Sequence, residues 1–217
     1  MPEVLLRNLP FLADGFLITL KIAGWTALLG TALAIPVALL RYLRVPVASQ
    51  LCAAYVGLIR GTPVLVVLLM SYFGLPAAFG YRTSAYPACI GGFSVFIAAY
   101  CAEDMRAGLM AVPPALVEAG LALGLSRARV LRFIVLPLAA RVTLPALFGQ
   151  YVRMVKYTSV ASVIGVNELM GSGVLVNARI FEPLPILGVV AAAYLVVCLA
   201  VSLTGRRLQR RLDFPGG

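Results

Sequence analysis

The sequence predicts an all-α membrane protein with five spanning helices, and three observations carry that reading. Of 217 residues, 62% are hydrophobic and only 12% charged, more apolar surface than a soluble domain of this length can bury. Five apolar runs, at 15–40, 51–79, 86–111, 138–166 and 184–204, reach the length of about 20 residues that a helix needs to cross the hydrocarbon layer. Arginines then collect after alternate runs. Arg41 and Arg44 follow the first, Arg106, Arg127, Arg129, Arg132 and Arg141 surround the connection between the third and fourth, and Arg206, Arg207, Arg210 and Arg211 follow the fifth. With the N-terminus outside, all three clusters fall on one side, which the positive-inside rule makes cytoplasmic. The opposite side carries only Arg7, Lys21, Arg82 and Arg179.

That topology accounts for the net charge of +10 without a nucleic-acid partner, because the arginines sit where stop-transfer signals and anionic lipid require them. Histidine is absent, which removes the usual imidazole base and metal ligand. Cys52, Cys89, Cys101 and Cys198 stand singly in apolar surroundings and read as unpaired thiols, so neither metal nor disulfide is expected. The first apolar run is too long and too late for a cleaved signal peptide, so the N-terminus is expected to be retained. No G-x-x-x-x-G-K-[ST] sequence and no nucleophile–base pair occurs, so no cofactor and no enzymatic activity are expected of this chain. Short connections leave a single domain, 1–217. Five spans are too few to enclose a pathway, so pairing with an identical or homologous chain is expected.

Taken in order, the spans carry three polar groups, and charge at mid-depth in lipid is expensive and usually functional. In span two, Arg60-Gly61-Thr62-Pro63 predicts a break, with Thr62 as a cap and Pro63 opening a new helix. Interrupted helices line binding cavities in transporters, and an arginine snorkelling from a helix end is an equal reading. In span three, Glu103 and Arg106 share a face and can pair, while Asp104 points elsewhere, with Arg60 a candidate partner. In span four, Gln150, Arg153 and Lys156 form an i, i+3, i+6 series. It lines an interface or wet cavity, or pairs with Glu103 or Asp104, and both can hold.

Between spans three and four, residues 113–137 are the one place built to grip something outside the bilayer. Pro113 and Pro114 can open a helix, Gly124 suits a left-handed helix end, and Ser126 is a natural cap for a second helix running from Arg127 until Pro137 breaks it. Leu125 joins the two. Arginine in a first turn opposes the helix dipole, so Arg127 is not placed there for helix stability. On periodicity alone, a helix resting on lipid headgroups and a helix docked on a partner are equal readings.

The segment Glu118–Pro137, EAGLALGLSRARVLRFIVLP, resembles the EAA loop of binding-protein-dependent ABC importer permeases, E-A-A-x-x-x-G followed after nine residues by I-x-L-P. The departure is Gly120, where alanine is usual. The resemblance implies the type I, MetI-like permease fold and a coupling helix seated in a cleft of an ABC ATPase subunit, which would bind ATP and magnesium. By position it gives Glu118, Ala119, Gly120, Gly124, Leu125, Ser126 and Arg127 to coupling. R-G-T-P in span two, A-Y-x-A-E-x-x-R-x-G in span three and K-x-T-S-x-x-S-V-I-G in span four further resemble the polar amino acid permeases, those for histidine, glutamine, arginine and opines. Tyr157 stands where an aspartate commonly follows the lysine, Arg153 where a small or apolar residue is common, and Gly149 where asparagine is frequent. These departures make span four more positive than usual.

The resemblance therefore implies a permease subunit in the bacterial inner membrane. Its partners would be the ATPase, a second permease, an external substrate-binding protein, and a polar amino acid or opine as substrate. Arg60, Glu103, Gln150, Arg153 and Lys156 are the candidates for the substrate pathway. The alternative is an ion-coupled secondary carrier, which would use carboxylates such as Glu103 and need no ATPase.

Overall fold

Apolar helices that share one bundle must alternate small and large side chains, and here the helix of the third span packs against the first, second and fourth spans. A computed structural model describes the backbone of residues 2–212 and the side chains of residues 7–210; Arg211 of the basic tail lies outside the described side chains. The chain is helical almost throughout: α1 (Pro2–Tyr42), α2 (Ala48–Arg60), α3 (Val64–Leu69), α4 (Leu75–Phe79), α5 (Ala85–Met110), α6 (Pro114–Ala122), α7 (Arg127–Val130), α8 (Leu136–Tyr157), α9 (Leu169–Ile180) and α10 (Pro183–Leu212). A π-helical turn, Met70–Gly74, joins α3 to α4.

Four helices are long and apolar enough to cross a membrane, and the pair Ala48–Arg60 and Val64–Phe79, bent by 109°, makes a fifth span if counted as one. The expected five-span, all-α architecture is thus present, with wider limits. The first helix is apolar from Arg7 to Tyr42, about 54 Å at 1.5 Å per residue, well beyond a 30 Å hydrocarbon layer.

Helix α5 is the centre. Cys89, Phe93, Ile97 and Cys101, spaced four apart, form one buried stripe, and Ala98, Ala99 and Ala102 let neighbours close on the other side. Helices α1, α2, α3 and α8 all pack on it. Gly108 shows how close the approach is: a Cβ there would overlap the Thr143 hydroxyl of α8. The cysteines are free, with Cys89, Cys101 and Cys198 buried in the bundle.

Two expectations from the sequence are corrected. Pro137 does not end a short helix. The residues Leu131–Val135 widen into a π turn, and the helix runs on from Arg127 to Ile164, its last residues, Thr158–Ile164, in a tighter 3₁₀ turn. Proline cannot donate to a carbonyl four residues back and its ring collides with it, and a π turn accommodates both. The break at Arg60–Pro63 is real, yet Thr62 does not cap it. Its hydroxyl donates back to the Leu58 carbonyl at 2.8 Å, and Pro63 itself stands at the cap position of α3.

A further helix, α9, follows the fourth span. It lies between Gly165, with φ +83°, and Phe181, in the left-handed region. It packs against α1 and α10 through Leu12, Leu169, Val176, Ile186 and Val190. At 12 residues it is too short to register as a span.

Candidate functional site

Two regions hold the candidate residues: the loop at 113–137 and the polar faces of α5 and α8. In the loop, α6 and α7 are separated by Leu123-Gly124-Leu125-Ser126. Gly124 takes φ +78°, where a Cβ is costly, and its amide closes the helix end on the Leu121 carbonyl at 2.9 Å. Ser126 caps α7 by accepting from the Arg129 amide at 3.4 Å. Leu125 turns inward onto a small core of Leu109, Val112, Val130, Val135 and Ala139. That core ties the loop to α5 and α8.

What remains outward is Glu118, Ala119, Gly124 and Arg127, together with Leu123, which is 83% exposed at the turn. Leu123 went unremarked in the sequence because a leucine in an apolar helix carries no signal until its direction is known. Gly120 is buried instead. A Cβ there would lie 2.6 Å from Ile134 Cδ1 and 3.1 Å from Val130 Cγ2, so its smallness serves contact within the loop.

Beneath the loop lies a cleft of about 420 Å³, lined by Arg41, Arg44, Arg106, Val117 and Glu118. Arg41 and Arg106 on its wall belong to an arginine cluster around Glu103. Arg106 pairs with Glu103 as the i, i+3 spacing predicts, with Nε at 3.1 Å from Oε1. Arg41, from the last turn of α1, binds the other carboxylate oxygen. Arg60 reaches within 4.0 Å of that oxygen and lies over the Tyr100 ring at 5.4 Å. One carboxylate thus fixes the ends of α1, α2 and α5, and the cluster keeps two net positive charges. From sequence Arg41 is only a topology marker; nothing in sequence spacing links residues 62 apart.

Arg60 is therefore not the partner of Asp104. Gln150 Nε2 donates to Asp104 Oδ2 at 2.7 Å, joining α8 to α5. This also divides the series expected in span four. Steps of three residues rotate by about 60° around a helix, so Gln150 and Lys156 lie about 120° apart. Gln150 is buried on the bundle side while Arg153 and Lys156 are exposed, and neither makes an ion pair among the described residues. The pairing of these cations with Glu103 or Asp104 does not occur.

A third constellation escaped the sequence. Glu168, fully buried, receives the Tyr194 hydroxyl at 2.7 Å, the Thr19 hydroxyl at 3.3 Å, and the Met170 and Gly171 amides at 2.9 and 2.8 Å. It caps its own helix and binds α1 and α10 to it. A glutamate between two apolar runs reads as an ordinary connection, and glutamate is not a favoured cap. Separately, a cavity of about 490 Å³ lies between the broken helix and α5, with Thr62, Ser71 and Tyr81 among apolar walls. None of the pathway candidates lines it.

An all-α bundle of four or five apolar spans, one of them broken, with an exposed two-helix loop between the third and fourth, defines the class: a multi-span helical membrane protein. Residues 30–214 match the family described as binding-protein-dependent transport system inner membrane component, and the chain belongs to it. It is 37% identical over 209 residues to the glutamine transport system permease protein GlnP of Escherichia coli strain K12, covering 94% of each chain. It is 34% identical over 194 residues to the octopine transport system permease protein OccM of Rhizobium meliloti, covering 86% of this chain and 79% of that one. Among solved structures, an amino acid ABC transporter crystallised with histidines superposes with a TM-score of 0.89 at 29% identity, over 95% of this chain and 96% of that one. The chain is thus an importer permease component and not an enzyme, and the ion-coupled alternative finds no support in these relatives.

Proposed function

We propose that this permease passes polar amino acids, or amino-acid derivatives such as opines, through a dimer of permeases driven by ABC ATPases that dock on residues 113–137. The substrate class follows the glutamine and octopine relatives and the amino acid transporter structure. The chain would lie in the bacterial inner membrane with its N-terminus outside and the arginine clusters in the cytoplasm. A binding protein would deliver substrate from outside.

One observation carries the coupling assignment: Glu118, Ala119, Leu123 and Gly124 point outward from a loop whose inner side is packed on the spans by Leu125, Val130 and Val135. A loop that is outward on one side and locked on the other transmits a push, since packed cores shift between discrete arrangements rather than deform. In this reading Glu118 pairs with a basic ATPase side chain, the exposed turn at Leu123 and Gly124 seats in a cleft of the ATPase, and motion passes into α5 and α8. The Glu103 cluster, Arg60, Gln150, Arg153 and Lys156 then border the route. The test is uptake with Gly124→Arg: the variant should reach the membrane and fail to import, and normal ATP-driven uptake would refute coupling through this loop.

A further inference from the structure

We infer that Arg153 and Lys156 form an anion-selective filter, and that the preferred substrate is an amino acid bearing a second carboxylate, either acidic or N-carboxyalkylated. This rests on the importer reading above and narrows its substrate class. Three observations converge on it.

The first is depth. The Cys198 thiol, midway along α10, lies 3.9 Å from the Val152 carbonyl, and Tyr157 meets Phe96, midway along α5, with ring centroids 5.7 Å apart. Arg153 and Lys156, between those levels, are near mid-height of the bundle. There a lipid-facing cation is expensive, so two exposed cations one turn apart call for water or an anion.

The second is charge balance. The acids of the bundle interior have other partners: Glu103 binds arginines, Asp104 accepts from Gln150, and Glu168 accepts from hydroxyls and amides, while Asp14 and Glu182 make no ion pair with Arg153 or Lys156. No described acid pairs with Arg153 or Lys156, which leaves their counter-charge to a bound anion. A second copy of this chain would present the same two cations under two-fold symmetry, which deepens the positive wall.

The third is spacing. Residues at i and i+3 stand about 5–6 Å apart at Cβ, and arginine offers a planar fork beside the point charge of lysine. Two carboxylates of one small molecule can each take a cation, whereas a neutral amino acid zwitterion satisfies only one. Charge-assisted hydrogen bonds contribute about 1.5–3 kcal/mol, so a second carboxylate should tighten binding roughly tenfold or more.

The test is equilibrium binding of radiolabelled L-glutamate and L-glutamine to the purified permease–ATPase complex, without ATP and without the binding protein, whose own selectivity would mask the permease. Glutamate should bind roughly tenfold or more tightly than glutamine. Arg153→Gln with Lys156→Gln should level the two, and the swap Arg153→Lys with Lys156→Arg should keep the preference. If the doubly neutral chain does not assemble, Arg153→Gln and Lys156→Met singly should each narrow the gap. Equal binding of the two amino acids, binding of neither, or a preference that survives both single variants would overturn the filter. Dissociation of the permease pair in the neutral variants, with glutamate preference unchanged, would instead assign the counter-charge to the second permease and overturn it too. Complete-importer uptake separates the two readings: glutamine uptake that depends on ATP and binding protein, with no glutamate preference, leaves the importer standing and removes only the filter.

Discussion

The amide of Gln150 donates to the carboxylate of Asp104 at 2.7 Å, and this contact joins the helix that emerges from the 113–137 loop to the central helix of the bundle. Gln150→Leu would leave Asp104 without that donor at a helix interface. Asp104 is half-buried, so stranding it costs about 1 kcal/mol, the low end for a buried group, and the purified variant should melt at a lower temperature. Asp104→Asn keeps an acceptor for the same amide and should cost less. If both variants melt as the parent does, the contact contributes nothing to stability.

Glu168 should be the residue least tolerant of truncation outside the loop. Its carboxylate accepts from two backbone amides, Tyr194 and Thr19, and holds three helices at once. Glu168→Ala leaves those donors facing an apolar cavity, at a cost on the order of 3 kcal/mol or more. The expected readout is a collapse in the folded yield from detergent. Tyr194→Phe removes one donor only and should lower the melting point modestly. A fully stable Glu168→Ala variant would contradict the pinning role.

These two residues also mark where sequence reading reaches its limit. Helix-forming apolar runs, the break at Arg60–Pro63 and the turn at Gly124-Leu125-Ser126 are local, and each has a chemical cause within a few residues, so all were legible. Glu103 with Arg106 was legible for the same reason, being one turn apart on one helix. Arg41 with Glu103, Gln150 with Asp104 and Thr19 with Glu168 join residues 62, 46 and 149 apart, and only the packing brings them together. Pro137 misled because a proline is tolerated inside a helix when the preceding turn widens, and nothing in the local sequence announces a π turn.

Gly108 predicts a steric limit on how the central helix meets α8. A Cβ at this position would overlap the Thr143 hydroxyl, which is itself held by the Ala139 carbonyl at 2.8 Å. Gly108→Val must push the two helices apart, and overpacking of this kind costs about 1–3 kcal/mol. Thr143→Ala in the same chain should recover part of the loss, because it removes the atom that is struck. Thermal melts of the two variants and their combination give the coupling directly, and strict additivity would show that the two positions do not meet.

The Glu103 cluster yields the sharpest contrast between stability and transport. Glu103 is the single acid among Arg41, Arg60 and Arg106, and its side chain is 20% exposed. Glu103→Gln keeps the shape and part of the hydrogen bonding but leaves three guanidinium groups with no counter-charge. Removing one partner of a buried charge network costs on the order of 3 kcal/mol, less where water reaches it. Neutralising one arginine as well should restore much of that, and Arg41 is the best choice, since at 15% exposed it is the least screened of the three. Arg41→Met combined with Glu103→Gln should therefore melt above Glu103→Gln alone. Because Arg41 and Arg106 of the cluster line the cleft that Glu118 also lines, the same pair separates two roles. If the cluster only braces the helices, uptake should return with stability in the double variant. If it carries the loop's motion into α5, stability should return while uptake stays low.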